Sequence, residues 1–393
     1  MADRRWLVLA LLALVRIAMG IQFQSIGAVG PALVSGLGLD YAALGTLAGA
    51  YLLPGAAMAL PAGWLTARLG DRPTVLGGLA LMAAGGMATA LAPGFAVALS
   101  GRLAAGVGGV LLNIALSRMV MDRFTGPALG LALGLLLSAW PLGLGVGLAV
   151  LPALAEATGW RDALLTAAGL CALALPVSAV ATSTTGGPAG QAKGVWLYRH
   201  EWLPVMLAGA VWGLVNAGLN VLLGFATAWL VARGENPAAA GVALSLLGFA
   251  SMVTLPCGGW LGERSGRPML TVAASLAAIS VLLMALPQAH HSMLLLGLLG
   301  LAFGVPCALI VGMPARVLVP ESRALGMGVF YTVFYVVVSL SQPLAGWARD
   351  ITGDAAAPLT MANLFNLLGL AGVAAFALAA RRARAAALAQ VDP

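Results

Sequence analysis

Twelve stretches of this chain run for roughly 20 residues with hardly a charge. At a rise of 1.5 Å per residue, a helix of that length crosses a hydrocarbon core about 30 Å thick. In the first half they lie near Trp6–Leu33, Ala42–Leu65, Thr74–Leu91, Phe95–Met119, Ala128–Leu151 and Ala163–Ala181. In the second they lie near Leu203–Val231, Ala238–Gly258, Met269–Leu286, Met293–Leu318, Ala324–Ala345 and Leu359–Ala380. Only 8% of residues are charged, against about 25% in soluble domains, so water is not the solvent for most of this surface. The net charge of +7 does not indicate nucleic-acid binding, because the basic residues are scattered over the ends of the apolar runs. Cys171, Cys257 and Cys307 sit inside apolar segments at no metal-ligand spacing and read as small packing residues. The opening Asp3-Arg4-Arg5-Trp6 imitates a signal peptide, but the apolar run continues to Leu33, and the expectation is an uncleaved first helix.

The halves echo each other. Gly63-Trp64-Leu65-Thr66-Ala67-Arg68-Leu69-Gly70-Asp71-Arg72-Pro73 returns 196 residues on as Gly259-Trp260-Leu261-Gly262-Glu263-Arg264-Ser265-Gly266-Arg267-Pro268. Glu156-Ala157-Thr158-Gly159 returns as Asp350-Ile351-Thr352-Gly353, 194 residues on. Two echoes at nearly one offset indicate an internal duplication. The expected fold is therefore an all-α membrane protein of twelve transmembrane helices, in two six-helix bundles related by a parallel repeat. The bundles are expected over 1–181 and 203–393, joined by a polar linker over 182–202 that holds Gly186-Gly187-Pro188, Gln191, Lys193 and His200.

The basic residues give the orientation. With the N-terminus inside, fifteen of the twenty lie on the cytoplasmic side and three (Arg161, Arg233, Arg349) outside. The other two, Arg16 and Arg102, fall within spans. Both termini are then cytoplasmic.

Twelve spans, the six-plus-six repeat and the Gly-x-Leu-x-x-Arg-x-Gly loop after the second span resemble the major facilitator superfamily over essentially the whole chain. The family's loop reads Gly-x-Leu-x-Asp-Arg-x-Gly-Arg-Arg. The second copy here is similar, with Glu263 as the acid and Arg264 and Arg267 as the bases. In the first copy Ala67 stands where the family has Asp, with Arg68, Asp71 and Arg72 around it, and Asp71 is the candidate substitute. Arg102-Leu103-Ala104-Ala105-Gly106-Val107-Gly108 and Gly159-Trp160-Arg161 are also similar to family motifs. The Gly30-Pro31 ending of the first segment resembles the cyanate-transporter-like and organic-anion branches, although Phe23-Gln24 replace the arginine usual there. The resemblance implies a secondary carrier whose two Gly/Arg loops brace the cytoplasmic face. It also implies that Arg102 takes part in gating; the other reading of Arg102 is a bond to carbonyls of a neighbouring helix.

Arg16 lies about 15 Å into the first helix, where an arginine costs about 2.5–3.5 kcal/mol on insertion scales. One reading is an anion clamp, since guanidinium matches carboxylate, nitrate or phosphate with paired donors. The other is a side chain that snorkels inward and ties helix ends. Gln24 is about 80° around the same helix, close enough to share a cavity with Arg16. Trp212, Asn216 and Asn220 form one stripe on helix 7; helices 1, 4, 7 and 10 surround the cavity in the family, so the stripe is a candidate wall. Interhelical hydrogen bonding explains the stripe, and Asn113 on helix 4, equally well. Tyr331 and Tyr335 are an i, i+4 pair able to supply hydroxyls or simply packing, and Trp140-Pro141 marks an expected kink.

No Asp, Glu or His lies in the interior of any of these segments, which argues against an intramembrane proton relay and for uniport, exchange or co-transport of a proton on the substrate. His290-His291 read as a solvated loop pair, not a metal site. No catalytic constellation, cofactor motif or metal site stands out. The expectation is a monomeric inner-membrane transporter of a small anion, held near Arg16, Gln24, Asn113, Asn216, Asn220 and Tyr331. An exporter of lipophilic drugs is the alternative, although Ser138-Ala139-Trp140-Pro141-Leu142-Gly143 only partly matches the exporters' fifth-helix motif and a buried acid for cationic drugs is missing. A non-transporting receptor is a third reading, with no appended soluble domain to support it.

Overall fold

The computed structural model describes residues 2–59, 61–125, 127–181, 196–289, 292–319 and 321–388. Most of the expected linker, His290-His291 and the side chain of Glu263 lie outside the described residues. Among the described residues, twelve helices are long and apolar enough to cross a membrane. Spans 3 to 6 are Asp71–Ala90, Phe95–Met121, Pro127–Thr158 and Trp160–Ala181. Spans 7 to 12 are Arg199–Ala232, Pro237–Ser265, Pro268–Ala285, Ser292–Val311, Arg323–Thr352 and Ala357–Leu388.

Spans 1 and 2 are interrupted. The first is Ala2–Ala28 followed by Gly30–Leu37, with Pro31 in the first turn of the second piece. The second is Tyr41–Ala50, Leu53–Met58 and Pro61–Leu69. Pro54 and Pro61 remove amide donors and crowd the carbonyl four residues back, so each is tolerated only near a fresh helix start. By contrast span 5 runs unbroken through Pro141. Span 7 begins at Arg199 rather than 203, because Glu201 reaches back to the Tyr198 amide at 2.9 Å and caps the first turn.

The duplication is written into the backbone. All six described residues with φ between +62° and +103° are glycines, and they form three pairs: Gly38 with Gly234, Gly70 with Gly266, and Gly159 with Gly353. The first two pairs are 196 apart and the third 194, the offsets of the sequence echoes. A left-handed turn excludes most side chains, so each pair closes corresponding spans in the same way. Helix pairing repeats likewise. Span 1 lies against 5 and 6, 3 against 4 and 6, and 2 against 4; span 7 lies against 11 and 12, 9 against 10 and 12, and 8 against 10. The halves meet through spans 2 and 11, 5 and 8, and 1 and 7.

That meeting is tightest at the end away from the N-terminus. Residues 18–30 of span 1 and 221–230 of span 7 are all buried. A Cβ on Gly45 or Gly49 would overlap the carbonyl of Gln342 or Ser339, one on Gly346 the carbonyl of Tyr41, and one on Gly241 the carbonyl of Leu148. Bare backbones thus touch across the halves, as small residues allow in lipid. The Asp350 carboxylate of span 11 also accepts the Tyr41 and Ala42 amides of span 2 at 3.0 and 2.7 Å, and the Arg349 guanidinium sits 3.5 Å from the Tyr41 ring centre.

Candidate functional site

Arg16, on span 1, is 7% exposed. Its Nη1 donates to Asn113 Oδ1 of span 4 at 2.9 Å, while its Nε is buried with no hydrogen-bond partner. Tyr335 of span 11 lies beside the Asn113 side chain, and the hydroxyls of Tyr331 and Tyr335 lie close enough to Arg16 to interact electrostatically. Asn113 and both tyrosines are half-buried. The cluster therefore draws its cation and amide from the first half and its hydroxyls from the second. Among the described residues, no carboxylate forms an ion pair with Arg16. A buried guanidinium with a spare donor and no counter-ion is costly unless something anionic reaches it.

The other intramembrane arginine is used differently. Arg102 is 1% exposed and lies over the Tyr51 ring, 4.8 Å from its centre. Its Nε donates to the Leu47 carbonyl at 3.1 Å, Nη1 to that of Gln22 at 3.1 Å and Nη2 to that of Phe23 at 3.2 Å. One side chain thereby ties spans 1, 2 and 4 together inside the first half, which is the geometry of a carbonyl tie.

Not every residue grouped by the sequence meets at Arg16. Gln24 is 3% exposed and donates from Nε2 to the Leu223 carbonyl of span 7 at 2.8 Å. Eight residues of helix rise put it about 12 Å beyond Arg16, within the tight contact between halves. Asn216 and Asn220 donate to their own helix, to the Trp212 and Asn216 carbonyls at 2.9 and 2.7 Å, and stay half-buried. Asn216 lies seven residues, two turns, before Leu223 and so shares the face that meets span 1. Trp212 stacks on Phe334 with ring centres 5.9 Å apart, and Phe334 lies 6.2 Å from Tyr331 and 4.9 Å from Tyr335.

The loop residues form a separate set. Asp71 pairs with Arg118 at 3.6 Å, and Arg118 also approaches Asp122 at 3.7 Å, joining the start of span 3 to the end of span 4. This partnership stays within one half. Arg68, Arg72, Arg264 and Arg267 are exposed, and Arg264 lies over Trp260, 5.2 Å from the ring centre. The sequence gives Asp350 no role beyond its place in the echo, and Glu201 falls within the expected 182–202 linker. Glu201 is fully buried and accepts the Val319 amide and the Ser322 hydroxyl, each at 2.9 Å. Its signal was the capping spacing Tyr198-x-x-Glu201, visible but unassigned.

Compared with known proteins, the chain matches the Major Facilitator Superfamily over residues 12–342. Among curated proteins it is similar to monocarboxylate transporter 13 of Rattus norvegicus, 26% identical over 322 residues, covering 77% of this chain and 72% of the relative. The Bos taurus protein of the same name is 26% identical over 319 residues with the same coverage. Twelve spans, paired left-handed glycines and a match over most of the length agree: this chain is a membrane transporter and belongs to the Major Facilitator Superfamily.

Proposed function

We propose that this protein moves a small organic monoanion, a carboxylate, by alternating access, with Arg16 as the residue that binds the charge. One observation carries the reading: Arg16 is a buried cation between the halves with a spare Nε donor and, among the described residues, no acidic partner. A carboxylate supplies two acceptors in the plane of the guanidinium fork, and Tyr331 and Tyr335 add hydroxyls on the opposite wall. The monocarboxylate-transporter relatives support the same ligand chemistry. Arg102 offers no second site, since each of its three nitrogens already donates to a carbonyl.

The distribution of bases supports an N-terminus and C-terminus in the cytoplasm, with the six-helix bundle before the linker and the one that begins with span 7 at Arg199 as the moving bodies. The end sealed by glycine contacts then faces outward, and the Gly/Arg loops around Asp71 and Arg267 lie at the cytoplasmic end. A monomer embedded in a cytoplasmic membrane fits this arrangement.

Uptake of labelled pyruvate and lactate into proteoliposomes tests the reading. Removing one member of a buried, hydrogen-bonded charge pair costs about 2–5 kcal/mol. Arg16→Gln is therefore expected to raise KM by about 30-fold or more, with Arg16→Lys in between because it keeps charge and loses the fork. Unchanged carboxylate uptake in Arg16→Gln, in a variant that melts like the parent, overturns the assignment.

A further inference from the structure

We infer that the site is polarised, and that Trp212 and Phe334 form a subsite for an aromatic or bulky apolar tail on the carboxylate that Arg16 binds; the inference rests on the anion-binding role proposed for Arg16. Three observations point to it.

The first is the repeat. Arg16 and Trp212 are 196 residues apart, the offset of the flanking glycine pairs. They occupy corresponding positions on spans 1 and 7, so one wall presents a cation where its counterpart presents an indole. The second is the placement of the rings. On span 11, Tyr331, Phe334 and Tyr335 lie within about 100° of arc, so Phe334 shares the face whose tyrosines interact with Arg16. Phe334 stacks on Trp212 at 5.9 Å and 25° between planes, and both rings are half-buried, leaving ring surface uncovered by protein. The third is charge. Of the two arginines placed deep in the spans, Arg102 is engaged by three carbonyls, whereas Arg16 keeps a buried Nε without a partner. One positive charge beside an aromatic stack suits a monoanion with an apolar body better than a dianion or a compact inorganic ion. Tyr331 and Tyr335, at the junction, can hydrogen-bond a carboxylate oxygen or an adjacent oxo or hydroxyl group.

Phenylpyruvate and pyruvate isolate the tail, since they share a 2-oxo acid head and differ by the phenyl group. In proteoliposomes the parent carrier is expected to prefer phenylpyruvate in KM. Trp212→Leu and Phe334→Leu are each expected to raise the phenylpyruvate KM about tenfold while moving the pyruvate KM less than threefold. Trp212→Phe, which keeps a ring, should recover most of the loss, and this conservative variant guards against a fold defect. Arg16→Gln should impair both substrates alike. Equal shifts for the two acids in the leucine variants, or no preference in the parent, overturn the tail subsite while leaving the anion site standing. Indifference of both acids to Arg16→Gln, or no transport of either, overturns the anion site and the tail subsite with it.

Discussion

Asp350 is a cap supplied by one half to a helix of the other. The helix Tyr41–Ala50 begins with amides that have no partner inside it. Its own N-cap, Asp40, takes the Ala43 amide at 2.7 Å, and Asp350 takes those of Tyr41 and Ala42. In the proposed cycle the halves separate at this end, so the whole of the Asp350 contribution enters the balance between closed and open. Loss of a capping side chain costs about 0.5–2 kcal/mol, and a carboxylate at a helix N-terminus contributes about 0.3–1 kcal/mol. Asp350 is exposed and water replaces it at the amides, so screening holds the net effect of Asp350→Ala to about 1–2 kcal/mol. That corresponds to a shift of about 5–30-fold towards the open state. Ser339 is 5% exposed, with its carbonyl against Gly49 across the seal. With Cys171, Cys257 and Cys307 replaced by serine, Ser339→Cys should react with an impermeant maleimide at a rate proportional to the open population. Asp350→Ala should speed that reaction about 5–30-fold and Asp350→Asn less. Asp354→Ala, which removes a carboxylate bonded to the Ala356 amide in its own loop, should leave it unchanged. A labelling rate within twofold of the parent in Asp350→Ala would show that the cap does not hold the gate.

Two further substitutions probe the frame. Gly346→Val places side-chain atoms where the Tyr41 carbonyl lies, so it should abolish the closed state, raise maleimide labelling at Ser339→Cys to a plateau unaffected by Asp350→Ala, and stall transport. Arg102→Gln removes charge-assisted bonds to buried carbonyls, each worth about 1.5–3 kcal/mol; the detergent-solubilised protein should melt several degrees lower, and an unchanged melting curve would contradict the carbonyl-tie geometry.

Architecture was legible because the solvent dictates it. Long uncharged runs announce spans, and left-handed glycines recur wherever the duplicated turns do, so Gly70 and Gly266 were visible as an echo before their φ values were known. Hydropathy counting missed the breaks at Pro54 and Pro61, since proline acts on hydrogen bonding while the run stays apolar. Arg16 stood out as a lone charge, and the chain does bring it to Asn113 and Tyr331. Angles on a helical wheel nevertheless say nothing of depth, and Gln24, on a nearby face, ends in the contact between halves. Asn216 and Asn220 bond to the turn before them, an option every helical Asn has and no pattern excludes. Asp350 and the Trp212–Phe334 stack depend on which elements meet in space, and their neighbours are 308 or 122 residues away in sequence.

The backbone-to-backbone seal has a mechanical consequence. Attraction between close-packed atoms is short-ranged, and a gap of 0.5–1 Å forfeits about a quarter to a half of it. Gly45, Gly49, Gly241 and Gly346 carry no side chain that could follow a receding partner or bridge a widening cleft. A slightly parted gate therefore loses up to about half of that attraction with no side chain to recover it. Such a joint is brittle rather than elastic: it is shut or released, with little population between, and a carrier built on it should pass its cargo without leaving a half-open path for water or ions.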